Sequence, residues 1–128
     1  MASMRCEFLS LFVPDLDTAS QTYASIFGVE PGTASGGIPE RHPFSPRPPV
    51  VFDLGGVKLA LYQIDGRITH AGDVGIGVVT DEDPSATLQR AAAAGGQPLL
   101  APKAGDTCEM GVFVLPDRHF FEVVRPSR

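Results

Sequence analysis

The side chains best suited to catalysis or metal binding are scattered along this sequence. His119 lies three residues before Glu122, so in a regular strand the two side chains point to opposite faces. His70 falls in a turn-like segment and His42 in a proline-rich one. We expect all three histidines to be exposed or locally hydrogen-bonded rather than bound to a metal.

The two cysteines also lack a functional spacing. Cys6 and Cys108 stand far apart, without the Cys-x-x-Cys pattern of a zinc knuckle or a redox motif. We interpret them as two buried free thiols. Any chemistry must therefore come from residues that the fold brings together.

The composition is that of one globular domain. In 128 residues, 43% are hydrophobic and 20% charged, so a core can form without disulfides or a structural metal. Ten Lys and Arg against fifteen Asp and Glu give a net charge of -5, and no basic run is present, which argues against nucleic acid as a partner. No apolar stretch has the length of a membrane span and no signal peptide is recognisable, so we expect a cytoplasmic protein without a membrane partner.

An internal repeat divides the chain into two halves. The segment 13–20 reappears as 79–86, each time after an apolar run and before a helical stretch that ends in glycine. We therefore predict a single domain made of two modules, 1–66 and 67–128, each with a strand, a helix and several antiparallel strands.

The helix ends follow from capping residues. Asp17 and Asp83 are suited to cap the two helix N-termini, and Pro84 suits a first helical position. Gly28 and Gly95 then end the helices.

The remaining apolar runs are short and bounded by turn residues, which is typical of strands. Gly55-Gly56 and Pro116-Asp117 each have the composition of a hairpin turn. The predicted strands lie near residues 5–13, 49–54, 57–63, 73–80, 97–101, 109–115 and 119–125.

Segment 28–49 holds six of the twelve prolines and cannot be an interior strand. It is either a solvated connection with one short edge strand or a loop that folds over a pocket. In the second case Gly36-Gly37 would act as hinges, while Phe44 and Arg47 would close over a ligand.

The order of these elements resembles the vicinal oxygen chelate superfamily, which contains glyoxalase I, extradiol dioxygenases and the bleomycin-resistance proteins. The resemblance rests on the repeat, on Val-Pro-Asp-Leu-Asp at 13–17 and on Pro-Asp-Arg-His-Phe-Phe-Glu at 116–122. It implies an α+β fold in which two βαβββ modules form a mixed sheet curled around a concave cavity, with the helices outside.

The resemblance also implies four metal ligands on four strands. Carried over one by one, these positions fall at Phe8, Ala60, Val74 and Glu122. Only Glu122 can bind a metal, so we expect no metal site and no cofactor. A shift of one residue in the first strand would bring Glu7 into the cavity instead.

Strand alternation around these positions predicts an aromatic and aliphatic cavity lining, with Ser10, Tyr62 and Glu122 as polar groups. The alternative is that the phenylalanines merely fill the core. The predicted ligand-binding residues are Phe8, Ser10, Phe12, Phe44, Ala60, Tyr62, Val74, Ile76, Phe120 and Glu122.

Two functions are compatible with a metal-free cavity. The first, by resemblance to the bleomycin-resistance proteins, is sequestration of a hydrophobic or aromatic small molecule, such as an antibiotic, by a homodimer. The second is a small isomerase, cyclase or epimerase. In that enzyme Glu122, a lone carboxylate in an apolar wall, would be the general acid or base.

Overall fold

Seven strands form one open mixed sheet, which confirms the predicted α+β fold. The computed structural model describes residues 3–35, 37–64, 74–104, 108–116 and 119–127. The strands are β1 (Met4–Val13), β2 (Val50–Asp53), β3 (Lys58–Gln63), β4 (Val74–Thr80), β5 (Gln97–Ala104), β6 (Cys108–Val114) and β7 (Phe120–Pro126), and the helices are α1 (Leu16–Phe27) and α2 (Pro84–Ala93). Their order in the sheet is β2-β3-β1-β4-β7-β6-β5.

The topology follows the internal repeat. β1 and β4 lie side by side at the centre and are antiparallel. β1 pairs in parallel with β3, and β4 pairs in parallel with β7 in the same way. The two halves of the sheet therefore share one arrangement, β2-β3-β1 matching β6-β7-β4, and the second half has one strand more, β5.

The helix boundaries agree with the prediction except at one cap. Asp15, not Asp17, caps α1: its backbone is extended and its side chain accepts a hydrogen bond from the Thr18 N–H at 3.2 Å. Asp17 already lies inside the first turn, where a side chain cannot cap. The sequence offers two aspartates two residues apart, and only the backbone conformation selects between them.

The other helix ends are as predicted. Asp83 caps α2 by accepting from the Ser85 N–H at 2.9 Å, and Pro84 occupies the first turn. Gly28 ends α1 with φ +66°, and Gly95 follows α2 with φ +99°, a conformation that favours glycine.

The two faces of the sheet carry different partners. On one face Leu61 packs with Leu16 of α1 and Phe52, and Leu88 of α2 lies against Gly111. The opposite face, here called the inner face, carries the larger core cluster, whose buried members include Phe8, Phe12, Tyr62 and Phe120. The helices thus leave the inner face free for other groups.

The proline-rich segment covers part of that inner face. In the described residues of 28–49, only Gly32 forms a bridge, with Val51 at the sheet edge. Ile38 and His42 are buried, and Phe44 packs against the inner cluster. A wholly solvated connection is therefore wrong for residues 37–44. Gly36 lies outside the described residues, and the predicted mobility of this segment stays a prediction.

Two further sequence predictions can be compared with the structure. Cys108 is buried as expected, but Cys6 is exposed, because it lies near the outer end of β1. Within the described ranges, no helix is long and apolar enough to cross a membrane. The predicted homodimer is not tested by a single chain and stays a prediction.

Candidate functional site

Most of the predicted lining residues lie together on the inner face. Phe44, from the proline-rich segment, is partly buried against this group. The buried members are Phe8, Ser10, Phe12, Ala60, Tyr62, Phe120 and Glu122. Whether they bind a ligand stays a prediction, but strand alternation grouped them correctly.

The prediction was wrong for β4. A Cβ placed on Gly75 would meet the Phe120 ring and, at 3.0 Å, Cδ of Glu122, so it is Gly75 that faces inward. Its neighbours Val74 and Ile76 point to the opposite face, and Val74 is 46% exposed. Sequence alternation cannot choose the face of a strand whose inward residues are glycines.

The register of β1 decides whether Phe8 or Glu7 faces the inner cluster. Phe8 is fully buried on the inner face, while the side chain of Glu7 is one-third exposed and pairs with Arg5. The ladder shifts between Cys6 and Phe8, which places Glu7 at an irregularity of β1. The predicted register of β1 is therefore confirmed, and Glu7 does not join the inner cluster.

Aromatic rings form the walls of the inner face. Phe12 stacks on Tyr62, with ring centroids 5.5 Å apart and planes at 20°. Phe120 and Phe44 approach Phe12 at 6.2 and 6.4 Å. Such offset and edge contacts stabilise by about 0.5–1.5 kcal/mol per pair beyond area burial.

His42 is the site residue that sequence analysis missed. Its ring lies 4.9 Å from that of Phe12 and 4.8 Å from that of Tyr62, and its Nε2 is hydrogen-bonded to Oε2 of Glu122. Both side chains are completely buried. Of the two alternatives expected for His42, exposure is wrong, and the local hydrogen bond is present as that from the Phe44 N–H, but the long-range bond to Glu122 was not expected. A proline-rich loop has no periodicity from which the direction of a side chain could be inferred.

Tyr62 holds the same segment from the sheet side. Its hydroxyl donates a hydrogen bond to the carbonyl oxygen of Pro39 at 2.5 Å. Burial, and after it the nearby negative charge of Glu122, raises the pKa of Tyr62 well above its usual value. The phenol is therefore a persistent hydrogen-bond donor.

Two buried polar atoms at this site have no hydrogen-bond partner among the described residues, namely Oγ of Ser10 and Oε1 of Glu122. Both side chains lie beside Gly75: Ser10 is its cross-strand neighbour, and the carboxyl group of Glu122 lies over it. Burying a polar group without a partner costs about 1–3 kcal/mol. The described residues supply no partner for either atom, so each calls for a partner from elsewhere.

A separate cavity of about 480 Å³ lies where β1, β4, β6 and β7 end. Its lining includes Arg125, whose guanidinium pairs with Glu109 at 2.5 Å, and Arg5. These charges already have partners, so the unsatisfied polar atoms of the inner face mark the better candidate site.

Solved structures share this fold at low sequence identity. An NAD-dependent benzaldehyde dehydrogenase from Legionella pneumophila is 13% identical, with a TM-score of 0.69 over 94% of this chain and 98% of that one. A glyoxalase/bleomycin resistance protein/dioxygenase superfamily member from Vibrio splendidus 12B01 is 19% identical, with a TM-score of 0.58 over 96% and 99%. Methylmalonyl-CoA epimerase from Mycobacterium tuberculosis is 14% identical, with a TM-score of 0.64 over 96% and 88%.

This chain has the vicinal oxygen chelate fold. It matches no protein-family model and no curated protein sequence. The similar structures carry names as different as a dehydrogenase and an epimerase, so the fold alone does not select an activity.

The metal that the vicinal oxygen chelate fold implies does not suit these residues. Phe8 and Ala60 offer no lone pairs, and neither Val74 nor the inward-facing Gly75 does. Glu122 and His42, the carboxylate and imidazole of the inner face, are hydrogen-bonded to each other. In the described part of the chain, no group of three or more His, Cys, Asp or Glu side chains is placed to hold a metal ion. We therefore assign no role to a metal at this site.

Proposed function

We propose that this protein binds a small, flat, hydrophobic or aromatic molecule on the inner face of its sheet, without a metal ion, and sequesters it. The observation that carries the proposal is the pair of buried atoms without partners, Ser10 Oγ and Glu122 Oε1, inside a wall of aromatic rings. Ligand sites are commonly apolar with a few polar groups that fix orientation, and this site has that composition.

The segment 37–44 must move for a ligand to enter. It covers the inner face with His42 and Phe44 and is hydrogen-bonded there by the side chains of Tyr62 and Glu122. A ligand that enters the inner face takes over the contacts that the segment makes there. The segment therefore acts as a lid that opens for the ligand. An antibiotic with a flat aromatic ring system is one kind of molecule that such a site would sequester.

A ligand screen with two matched variants tests the proposal. Melting of the purified protein is followed with a panel of flat aromatic natural products, and each mixture is examined by mass spectrometry for a changed product. Phe120→Ala removes an inner-face ring, whereas Phe121→Ala removes the neighbouring ring, which stacks on Phe113 outside this cluster. We expect a ligand of unchanged mass whose affinity falls for the first variant and is retained by the second.

Two results of this screen would contradict a binding site on the inner face. Removal of a core phenylalanine costs about 3–5 kcal/mol of stability, so Phe120→Ala is compared only if it still melts cooperatively. If Phe8→Ala and Phe120→Ala both unfold, the rings are core residues and not a ligand wall. Equal loss of affinity in both the Phe120 and Phe121 variants would also contradict an inner-face site.

A second candidate function is proton transfer by a metal-free enzyme. The specific observation in its favour is the buried pair of His42 and Glu122, since the pair gives the carboxylate a partner with which to exchange a proton. Isomerisation and epimerisation need only such a base and acid near the reacting carbon.

Glu122→Gln separates the two candidates. For a binding protein whose ligand donates a single hydrogen bond to Glu122, most of the affinity survives, because the amide oxygen still accepts that bond and the loss is about 1 kcal/mol. For an enzyme, turnover falls about a hundred- to ten-thousandfold while binding is retained. A substrate converted at an undiminished rate by the variant would remove Glu122 from the mechanism.

A further inference from the structure

The side chain of His42 occupies the inner face as a bound molecule would. It is a flat ring in contact with the rings of Phe12, Tyr62 and Phe44, at centroid distances of 4.9, 4.8 and 5.2 Å. It is almost fully buried, and its polar edge meets the carboxylate of Glu122. The lid thus contributes an aromatic heterocycle to a site made of aromatic walls and one acid.

The hydrogen bonds define which nitrogen of that ring is the donor. Nδ1 of His42 accepts from the backbone N–H of Phe44 at 3.1 Å, so Nδ1 carries no proton. The proton is therefore on Nε2, which donates to Oε2 of Glu122. The ring of His42 therefore offers one N–H donor to the carboxylate of Glu122.

This single donor bonds to only one of the two oxygens of the Glu122 carboxylate. Oε1 of Glu122 is buried and has no partner among the described residues. A carboxylate binds best when both oxygens accept parallel N–H groups from a planar partner. The imidazole of His42 has no second N–H on that edge, so it cannot supply this arrangement.

We propose that the ligand of this site is a flat nitrogen heterocycle with two neighbouring N–H donors on one edge, as in 2-aminoimidazole or another cyclic guanidine. Its rings take the place of His42 between the aromatic walls, and its two donors bond to both oxygens of Glu122. The inference rests on the proposed binding function and specifies the ligand class.

The hydrogen bonds within the lid do not prevent the imidazole of His42 from leaving the inner face. Residues 42–45 form a local turn in which Ser45 N–H donates to the His42 carbonyl at 3.0 Å. The same turn contains the bond from Phe44 N–H to the ring. Because these bonds lie within the turn, they survive when it moves away from the sheet. At the position of His42 the ligand must replace the bond to Glu122 and the ring contacts.

His42→Ala tests the inference by leaving a space of imidazole size. The variant is titrated with four five-membered rings, by thermal shift and by NMR: thiophene has no N–H, pyrrole and imidazole have one, and 2-aminoimidazole has two on one edge. The titrations are run at alkaline pH, where imidazole and 2-aminoimidazole are both neutral, so that charge does not decide the order. Glu122→Gln in the same background is the matched control.

The expected order follows from the number of donors. Pyrrole binds about tenfold more tightly than thiophene, because a hydrogen bond to a charged group is worth about 1.5–3 kcal/mol. 2-Aminoimidazole binds about tenfold more tightly than imidazole, and with Glu122→Gln that second preference falls to less than about threefold, since an amide has only one acceptor oxygen.

The titrations distinguish a failure of this inference from a failure of the proposed binding function. Equal binding of all four rings would overturn the inference about donors and leave an aromatic binding site, as the proposed function requires. Uptake of none of the four would contradict both. A preference for 2-aminoimidazole that persists in Glu122→Gln would overturn the role given to this carboxylate.

A measurement on the wild-type protein covers the case in which His42→Ala does not fold. 2-Aminobenzimidazole is added, with benzothiophene as a control of similar shape without N–H donors, and the proton on Nε2 of His42 is followed by NMR. We expect 2-aminobenzimidazole to abolish the signal of this buried, hydrogen-bonded proton and benzothiophene to leave it. Binding with the signal intact, or no binding, would overturn the inference.

Discussion

The ring of Phe8 fills the space in front of Gly77. The two residues are cross-strand neighbours on β1 and β4, and a Cβ at position 77 would overlap the Phe8 ring. Gly75 stands in the same relation to the ring of Phe120. The glycines of β4 therefore give the inner face the room in which its aromatic rings pack.

Gly77→Ala should consequently destabilise the protein. Forcing a methyl group into a packed core costs about 1–3 kcal/mol, which denaturant unfolding would measure. Gly56→Ala is the matched control, because nothing lies within 4 Å of a Cβ there. Combining Gly77→Ala with Phe8→Leu should cost less than the sum of the two changes. Additive costs would show that the two residues do not share this space.

The face assignment of β4 also shows where sequence reasoning reaches its limit. The strands, the helices and the resemblance to the vicinal oxygen chelate superfamily were predictable, because apolar runs, capping residues and an internal repeat are local signals. On β1, Phe8 and Phe12 alternate with less buried neighbours, so the face was predictable too. On β4 the inward positions are glycines, whose role is to leave space, and a missing side chain has no hydrophobicity to detect.

The site residues on the strands were predictable from the sequence, but the one on the lid was not. Tyr62 and Glu122 belong to strands whose period fixes their direction. His42 belongs to a segment with no period, and its burial depends on the tertiary bonds to Glu122 and between Tyr62 and Pro39. Such bonds join residues far apart in sequence, and no local pattern encodes them.

The cap of α1 gives a pH-dependent prediction. The hydrogen bonds from Thr18, backbone first, lower the pKa of Asp15 below its usual value of 3.8. A depressed pKa means that the stabilisation is present above pH 3.8 and is lost as the pH falls through the folded-state pKa. Asp15→Ala should lower the melting temperature at neutral pH, and the difference from wild type should shrink in acid.

Asp17→Ala is the control for this cap. Asp17 is two residues away and forms an exposed ion pair with Arg47, at 3.1 Å, so its removal should change the melting temperature little. If the Asp17 variant were the less stable one at neutral pH, the assignment of the cap to Asp15 would be wrong.

Metal removal should leave the protein unchanged. In the part of the chain that the structure describes, no three His, Cys, Asp or Glu side chains are placed to hold a metal ion, and the imidazole of His42 and the carboxylate of Glu122 are hydrogen-bonded to each other. We expect elemental analysis of the purified protein to find no stoichiometric transition metal and a chelator to leave the melting temperature unaltered. About one zinc, nickel, iron or manganese ion per chain would contradict the donor set described above.

The titration of tyrosine should reveal the burial of Tyr62. Its pKa is raised, chiefly by burial, so the neutral phenol is stabilised in the folded state. The stabilisation is present below the ordinary tyrosine pKa of 10.0 and is lost as the pH rises through the raised one. Of the two tyrosines in the chain, one should therefore ionise only on alkaline unfolding. Phenolate absorbance of wild type and Tyr62→Phe identifies which one.

Tyr62→Phe should also loosen the lid. The change keeps the ring that stacks on Phe12 but leaves the carbonyl oxygen of Pro39 without its donor, at a cost of about 1–3 kcal/mol if the oxygen stays buried. The segment can avoid that cost by moving into water. We therefore expect faster hydrogen exchange across residues 37–45 in this variant.

Tyr23→Phe is the matched control, since Tyr23 lies on α1 and packs against the cluster on the other face of the sheet. It should leave exchange in the segment unchanged. If the segment is a lid, a flat heteroaromatic probe should also enter Tyr62→Phe faster than wild type, because the closed state is less populated. Faster exchange without faster entry would mean that the segment moves but does not control access to the inner face.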